Sequence, residues 1–382
     1  MQPQFSHRPC LGLYWGARGD RMTRFMLAPR TDNGALAPVS KKLRLFRAWS
    51  STYPIWCAWQ VTYRCNFRCR FCQYWHDEMG RQDEPPVSQY AQGAAKLAKL
   101  GMLLVSLAGG EPLLRQDLPE IVREVGRFHF PFITTNGWFV TPTLADDLMR
   151  QGLWGASVSI DYADPARHDA RRGMDGAWEQ AWRAVELLGA ARRYDFQRVN
   201  VMAVLLDDNL EQIEPLIEMA AKRGAYFMVQ PYGCLKTGSK AYCPKPPVSD
   251  RLLELRRRWP NFLSNPRYLA QFDQFLADGV TGCRAGRAFF NIDSAGDVAI
   301  CVERRSDPVG NLYRQPINTL ISRLRDVSRS NTCTDCWYNC RGEVESLYQP
   351  IGLLASLPTL LLDRGRAPRI EKVANTTGQQ TV

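Results

Sequence analysis

Short apolar runs alternate with amphipathic helical patterns along the middle of the chain. Six runs have the length and composition of buried strands: Trp56–Thr62, Leu103–Leu107, Pro131–Thr135, Gly155–Ile160, Arg198–Leu205 and Tyr226–Gln230. Helical patterns lie between them, at Gln89–Leu100, Asp117–Phe128, Thr143–Gln151, Gly176–Ala190 and Asn209–Arg223. Strands that alternate with helices are typical of βα units in a parallel sheet. Six units predict an α/β fold, a partial (β/α)6 barrel that is smaller than the closed eight-stranded barrel.

The composition is that of an ordinary globular protein. Of the 382 residues, 45% are hydrophobic and 23% are charged, which excludes a disordered or collagen-like chain. No run of about 18 apolar residues that could span a bilayer occurs. We expect four regions: a basic extension over 1–54, the barrel over 55–280, a small cysteine-rich lobe over 281–345, and an apolar segment with a disordered tail over 346–382.

Twelve cysteines are the most unusual feature of the composition. Residues 1–20 contain no continuous apolar signal core, because His7, Arg8, Pro9 and Arg18 interrupt them. We therefore expect a cytoplasmic protein rather than a secreted one with disulfides. Four cysteines are scattered and have no predicted role in a site: Cys10, Cys57, Cys234 and Cys243. Of these, Cys57 is expected in the core. The other eight form two groups.

The first group is the C-x3-C-x2-C triplet of Cys65, Cys69 and Cys72, which follows the first predicted strand. By chance, roughly one chain in a hundred with this composition would contain such a triplet. Three thiolates on one short loop can each bind one iron of a cubane cluster and leave the fourth iron open. Structural zinc usually takes four ligands, and no histidine lies between Cys65 and Cys72. The spacing favours iron–sulfur, with zinc as the weaker alternative.

Glycine-rich and polar motifs lie at the carboxyl ends of the predicted strands, where ligands collect in such folds. They are Gly109-Gly110-Glu111-Pro112, Thr134–Gly137, Ser157–Asp161 and, in a predicted loop, Arg171-Arg172-Gly173. The glycines let a ligand approach the backbone closely, and the carboxylate of Glu111 suits an ammonium group. Each motif alone also fits a turn, a helix cap or solvated arginines. Their shared position at one edge of the sheet favours a binding site.

Together these motifs resemble the radical S-adenosylmethionine (radical SAM) superfamily over residues 56–231. Thr62–Asn66 ahead of the triplet, Phe71 before its last cysteine, and the order of the later motifs carry the resemblance. It implies that the triplet holds a [4Fe–4S] cluster whose open iron binds the amino and carboxylate groups of S-adenosylmethionine (SAM). Reductive cleavage of SAM would release a 5′-deoxyadenosyl radical, which would abstract hydrogen from a substrate in the barrel.

The resemblance also implies which residues bind SAM and which partners the protein needs. The residues are Gly109, Gly110 and Glu111 at the methionine ammonium, Arg172 at the carboxylate, Ser159 and Asp161 near the ribose, Phe71 beside the adenine, and Asn136. The expected partners are a low-potential electron donor such as flavodoxin or ferredoxin and a small-molecule, lipid or peptide substrate. A non-catalytic iron–sulfur or zinc protein that uses the fold for binding or regulation is the alternative.

The second cysteine group follows the barrel. Cys283 and Cys301 flank a strand-like run, Phe289–Asp293, and a hairpin turn at Ser294–Asp297. With the C-x2-C-x3-C motif at Cys333, Cys336 and Cys340, the group resembles SPASM domains and their shorter relative, twitch. One auxiliary [4Fe–4S] cluster would then take Cys283, Cys301, Cys333 and Cys336, with Cys340 as the spare or exchange ligand. The cysteine pairs alone fit structural zinc equally well.

The positive charge is concentrated near the amino terminus. The chain has 49 Lys+Arg and 38 Asp+Glu, a net charge of +11, and residues 1–54 hold nine of the former and two of the latter. Residues 41–49 form a basic amphipathic helix pattern, and Leu347–Leu362 is apolar. Both segments could lie on an anionic membrane surface, but covers packed on the barrel are favoured. We expect no nucleic-acid binding, since no basic stripe continues through the core.

Overall fold

The computed structural model describes residues 37–51, 53–81 and 84–361. Its strands are β1 (Trp56–Thr62), β2 (Leu104–Gly109), β3 (Phe130–Thr135), β4 (Gly155–Ser159), β5 (Arg198–Leu205), β6 (Tyr226–Pro231), β7 (Phe289–Ile292), β8 (Asp297–Ala299) and β9 (Gly310–Asn311). Its helices are α1 (Ala37–Ser50), α2 (Val87–Leu97), α3 (Leu118–Gly126), α4 (Pro142–Arg150), α5 (Pro165–Arg172), α6 (Ala177–Ala191), α7 (Leu210–Lys222), α8 (Ser249–Arg258), α9 (Pro266–Leu269), α10 (Phe272–Asp278), α11 (Ile317–Arg329), α12 (Asn339–Ser346) and α13 (Pro350–Leu361). The expected tail and Cys10 lie outside the described residues, as does most of the basic extension.

The strands form one nine-stranded sheet in the order β6-β5-β4-β3-β2-β1-β7-β8-β9. Strands β1 to β6 are parallel to their neighbours, and helices connect them. These six strands confirm the predicted partial (β/α)6 barrel. Strands β1 and β5 match the predicted runs to the residue, because each run has the length and burial of a sheet-core strand.

The first strand shows how the barrel interior is built. Cys57, Trp59 and Val61 are fully buried in the hydrophobic core. Trp56, Ala58 and Gln60 alternate with them and line the lumen of the barrel, as the two-residue period of a strand requires. The core position predicted for Cys57 is therefore observed.

The carboxyl-terminal strands extend the barrel sheet. The predicted strand at Phe289–Asp293 and the turn at Ser294–Asp297 are confirmed by β7 and β8, which pair in antiparallel fashion. Strand β7 also pairs in parallel with β1, with Trp56 opposite Phe289. Cys301 lies two residues after the end of β8. The second cysteine group is thus anchored to the same sheet as the first.

Helix α5 replaces the loop that was expected to carry Arg171 and Arg172. Asp164 caps its amino end by accepting a hydrogen bond from the Arg167 N–H, at 2.8 Å. Gly173 ends it in the left-handed region, with φ of 63°. Both arginines lie in the last turn of this helix, which fixes them more firmly than a loop would.

Helices α12 and α13 close the lumen of the barrel. Val344 and Leu347 face it from α12 and its end, and Ala355 and Ser356 face it from α13. Asn265 holds α13 in place, because its side-chain amide donates to the Gly352 carbonyl and to the Ser356 hydroxyl, each at 2.9 Å. The apolar carboxyl-terminal segment is therefore a cover, as the sequence favours.

The basic segment forms α1 and also packs as a cover. Ala48 is fully buried, and the Trp49 ring lies 6.0 Å from that of Tyr348, just ahead of α13. Leu43 and Phe46 on the other face of α1 stay exposed. Among the described residues, no helix has both the length and the apolar character needed to cross a membrane.

Candidate functional site

A cavity of about 500 Å³ occupies the lumen of the barrel. Its lining includes residues from both ends of the strands, such as Trp56 at the start of β1 and Glu111 beyond the end of β2. At roughly 3.3 Å per residue, β1 alone spans about 20 Å. The three cysteines of the triplet lie at the carboxyl-end side of this cavity and line it. The lumen therefore leads directly to the predicted cluster loop.

The triplet loop is held by backbone contacts to its surroundings. The Cys72 N–H donates to the Cys69 carbonyl at 3.2 Å, and the Trp75 indole N–H donates to the Cys72 carbonyl at 2.9 Å. The Arg70 N–H donates to the Arg171 carbonyl at 3.0 Å, which ties the loop to α5. All three cysteines are partly exposed as residues, and none is in a disulfide. The loop is thus shaped by protein contacts, and its three cysteines line the cavity.

Burial sets the protonation of two of these thiols. It raises the pKa of Cys65 to about 11, against the lowering effect of the Phe67 N–H. It raises the pKa of Cys69 to about 12, against the lowering effect of the Arg172 guanidinium. Coordination to iron needs thiolates, so loading this loop releases protons. Three thiols on one loop fit a cubane with one open iron.

Gly109 and Gly110 pack on the backbone that leads into the triplet. A Cβ on Gly109 would collide with the Thr62 carbonyl oxygen, and one on Gly110 with that of Arg64. Gly109 also has a φ of 144°, which disfavours other residues. The Glu111 N–H donates to the Arg64 carbonyl at 2.8 Å. Because Gly109 and Gly110 have no side chains, the end of β2 packs directly against the backbone that leads into the cluster loop and braces it.

Glu111 joins the ends of β2 and β3. Its carboxylate accepts hydrogen bonds from the Thr135 hydroxyl at 2.7 Å, the Asn136 N–H at 2.7 Å and the Leu113 N–H at 3.0 Å. Burial raises the pKa of Glu111 to about 7, while these donors lower it. Asn136 in turn donates from its amide to Asn66 Oδ1 at 2.8 Å. These hydrogen bonds link the ends of β2 and β3 to the cluster loop.

Asp161 and Arg172 take different places around the cavity. The Arg172 guanidinium lines it, 5.5 Å from the centroid of the Phe71 ring, and Ser159 also faces it. Asp161 is fully buried behind Arg172. One oxygen of its carboxylate accepts a hydrogen bond from Arg172 Nε at 2.8 Å and lies 2.7 Å from Nη2. Its other oxygen accepts the Val204 N–H at 2.8 Å. The carboxylate of Asp161 is directed at the guanidinium.

Four cysteines of the second group influence one another electrostatically. Burial raises the pKa of Cys336 to about 12, and the thiols of Cys283 and Cys301 raise it further. Burial likewise raises the pKa of Cys340, with contributions from Cys336 and Cys301. Of these four cysteines, Cys340 also lines the lumen.

Cys333 and Cys340, the two ends of the C-x2-C-x3-C motif, have different surroundings. Cys340, expected as the spare, lines the lumen, while the Cys333 thiol is directed at Asp335 Oδ2, at 3.4 Å. The start of α12 at Asn339 accounts for this, since it brings the thiol of Cys340 to the lumen. A C-x2-C pair in sequence does not reveal that turn.

The donor set of the second group fits a cubane cluster in number and kind. In residues 37–51, 53–81 and 84–361, no three histidine, cysteine or carboxylate side chains converge closely enough to hold one metal ion. A cubane differs from a single ion because each iron takes its own thiolate. Of the five thiols in this group, four would supply one for each iron.

Two features of the cavity have no local signal in the sequence. Lys236 lines the cavity and pairs with Glu303, with 2.5 Å between Nζ and Oε1. Glu343 lines it from α12 and accepts the Asn265 N–H at 3.1 Å. Burial raises the pKa of Glu343 to about 7. Tertiary contacts between distant segments create both features, so no motif could have identified them.

Comparison with known proteins places these observations in a family. The family model of the radical SAM superfamily matches residues 59–220. The AdoMet-dependent heme synthase of Methanosarcina barkeri is 32% identical over 322 residues, covering 75% of this chain and 89% of that relative. The mycofactocin maturase MftC of Mycobacterium tuberculosis is 27% identical over 310 residues, covering 76% and 78%.

A solved structure has a similar fold. Streptococcus suis SuiB bound to the precursor peptide SuiA superposes with a TM-score of 0.59, at 16% sequence identity, and the match covers 78% of this chain and 74% of SuiB. At this identity the likeness concerns the fold alone. It extends well beyond residues 59–220, the part matched by the family model.

Proposed function

The chain belongs to the radical SAM superfamily, and on that premise we propose that Cys65, Cys69 and Cys72 hold the [4Fe–4S] cluster that binds SAM. The protein is an enzyme, which confirms the catalytic interpretation over the non-catalytic one. When bound, the reduced cluster and SAM supply a 5′-deoxyadenosyl radical that abstracts hydrogen from the substrate. One observation carries the residue assignment: the triplet, Arg172 and Ser159 line the same cavity.

The residues around the triplet position SAM in this proposal. Arg172 pairs with the methionine carboxylate, and Asp161 orients its guanidinium. The Gly109–Glu111 segment lies at the methionine ammonium, with Asn136 bracing Glu111. Ser159 and the Phe71 ring lie at the ribose and adenine. The buried walls exclude water from the place where the radical forms.

The second group of cysteines holds an auxiliary [4Fe–4S] cluster in this proposal. Its ligands are Cys283, Cys301, Cys336 and Cys340, and Cys333 is the spare. The four regions of the chain then have separate tasks: the barrel over 55–280 holds SAM and substrate, and the lobe over 281–345 holds the second cluster. Residues 1–54 and 346–382 contribute the covers α1 and α13.

Metal analysis and cofactor cleavage test this assignment. Anaerobically reconstituted protein should contain about eight irons per chain and release 5′-deoxyadenosine when dithionite is added. Flavodoxin or ferredoxin, the proposed donors, should replace dithionite. Zinc in the second site together with no release of 5′-deoxyadenosine would contradict the assignment.

For the substrate we propose a peptide. The support is the fold shared with SuiB, which was solved with a precursor peptide bound. Peptide, small-molecule and lipid fractions of a cell extract can each be added to the reconstituted enzyme. The peptide fraction should increase 5′-deoxyadenosine formation, and protease treatment should remove the increase. Stimulation by another fraction alone would contradict this class.

We also propose that the covers of the barrel contact an anionic membrane surface. Leu43, Phe46, Ile351 and Leu354, here named the apolar patch, are 65%, 62%, 74% and 65% exposed. The Trp49 ring of α1 lies 6.0 Å from the ring of Tyr348, two residues before α13 begins. Arg44 and Arg47 on α1 are also exposed. Exposed apolar side chains beside cations match an anionic interface.

Vesicle co-sedimentation tests the membrane contact. The full chain should bind vesicles rich in phosphatidylglycerol and leave pure phosphatidylcholine vesicles in the supernatant. Serine at all four positions of the apolar patch should abolish binding. Serine at Tyr194 and Leu235, exposed apolar residues elsewhere, should leave binding intact. Equal binding of the patch variant, or a dimer that this variant loses, would contradict the proposal.

A further inference from the structure

A partly buried charge pair lies between the triplet loop and the second cysteine group. Lys236 ends a short 3-10 helix, Cys234–Lys236, that follows β6. Its Nζ lies 2.5 Å from Glu303 Oε1 and 5.0 Å from the ring centroids of both Tyr74 and Tyr338. The side chains of Lys236 and Glu303 are only 23% and 20% exposed. The pair is thus held in one position and largely shielded from solvent.

Both charges act on the second cysteine group. Glu303 lies two residues after Cys301, and its N–H donates a hydrogen bond to the Cys301 thiol. Tyr338, on which Lys236 rests, lies between Cys336 and Cys340 in sequence. Lys236, Tyr338 and Cys340 line the same cavity. Two charges of opposite sign are therefore held beside the second cysteine group.

Local charge, hydrogen bonding and solvent exposure set the reduction potential of an iron–sulfur cluster. Reduction adds an electron, so a nearby cation favours the reduced state and a nearby anion the oxidised state. Buried charges exert this effect with little screening by salt. Because Lys236 also lines the reaction cavity, the pair lies where the auxiliary cluster meets the substrate.

We propose that Lys236 and Glu303 are positioning residues that set the reduction potential of the auxiliary cluster, in opposite directions. The inference rests on the proposed cluster ligands in the second cysteine group. Neither residue is assigned to the binding of SAM, and the effect is separate from the chemistry at the triplet.

Potentiometric titration followed by electron paramagnetic resonance tests the pair. The background is the chain with Cys65, Cys69 and Cys72 replaced by Ala, so that only the auxiliary cluster is observed. In that background Lys236→Met should shift the midpoint potential to more negative values, and Glu303→Gln to more positive values. The double variant should return close to the parent. Lys240→Met, which removes an exposed charge four residues away, should leave the potential unchanged.

The opposite signs separate electrostatic tuning from a structural role. Local disorder at the cluster would shift both single variants in the same direction and would not be restored in the double variant. Shifts of the same sign, or no shift in either variant, would overturn the inference while leaving the cluster assignment intact. A parent that holds no iron would overturn both the cluster assignment and the inference.

Discussion

Arg172 and Asp161 form a buried ion pair in which two guanidinium nitrogens, at 2.8 and 2.7 Å, contact one carboxylate oxygen. The second oxygen accepts a hydrogen bond from the Val204 N–H, near the carboxyl end of β5. The guanidinium is thereby fixed over Phe71 at the wall of the cavity. A buried carboxylate with these partners can orient the arginine without touching SAM.

Asp161→Asn should weaken SAM binding by about tenfold or more, because a hydrogen bond to a charged group contributes roughly 1.5–3 kcal/mol. The unpaired Arg172 should also reduce stability by roughly 3–5 kcal/mol. Equilibrium dialysis of SAM with the reconstituted enzyme measures the first effect. Asp207→Asn breaks a more exposed contact to Arg171 and should change affinity less than about twofold. Unchanged affinity in the Asp161 variant would contradict the role.

Gly110→Ala should displace the triplet loop, because the new methyl group meets the Arg64 carbonyl oxygen. We expect loss of about half of the iron, namely that of the first cluster, and of 5′-deoxyadenosine release. Gly189→Ala in α6 is the matched control, since nothing lies within 4 Å of its added Cβ. Iron determination after reconstitution compares the two, and a fully loaded Gly110 variant would be inconsistent with the bracing role.

Cys340→Ala should lose the auxiliary iron, and Cys333→Ala should retain it. In the background without the triplet cysteines, Cys340→Ala should contain close to zero irons per chain and Cys333→Ala about four. The physical reason is that the thiols of Cys336 and Cys301 act electrostatically on Cys340, while Cys333 is directed at Asp335. The reverse result would restore the ligand set that sequence spacing favours.

Glu343 should make stability depend on pH. Burial raises its pKa from 4.5 to about 7, so the native chain keeps a proton that the unfolded chain releases. Stability contributed by this residue is therefore complete below pH 4.5 and falls as the pH rises to about 7, by about 3 kcal/mol. Glu343→Gln should gain in melting temperature relative to the wild type between pH 5 and pH 8. Parallel pH profiles for the two proteins would contradict the assignment.

The sequence identified the features that depend on local pattern. The six barrel strands follow from apolar runs of strand length, and the triplet from its spacing. Helix α5 was missed because its residues are mostly polar and show no apolar period; His168 and Arg172 are its buried residues. Its signals were the cap Asp164 and the terminating Gly173.

Relationships between distant segments could not be predicted from the sequence. The pairing of β7 with β1 joins residues more than two hundred positions apart, and no local propensity encodes it. The same holds for the ion pair of Lys236 with Glu303. Such contacts depend on how the lobe packs on the barrel.

Release of 5′-deoxyadenosine by the variant with Cys65, Cys69 and Cys72 replaced by Ala tests the central claim most directly. The reconstituted wild type should release 5′-deoxyadenosine from SAM after addition of dithionite. The variant should release none, while it keeps about half of the iron in the auxiliary cluster. Release at the wild-type rate by this variant would contradict the assignment of the triplet.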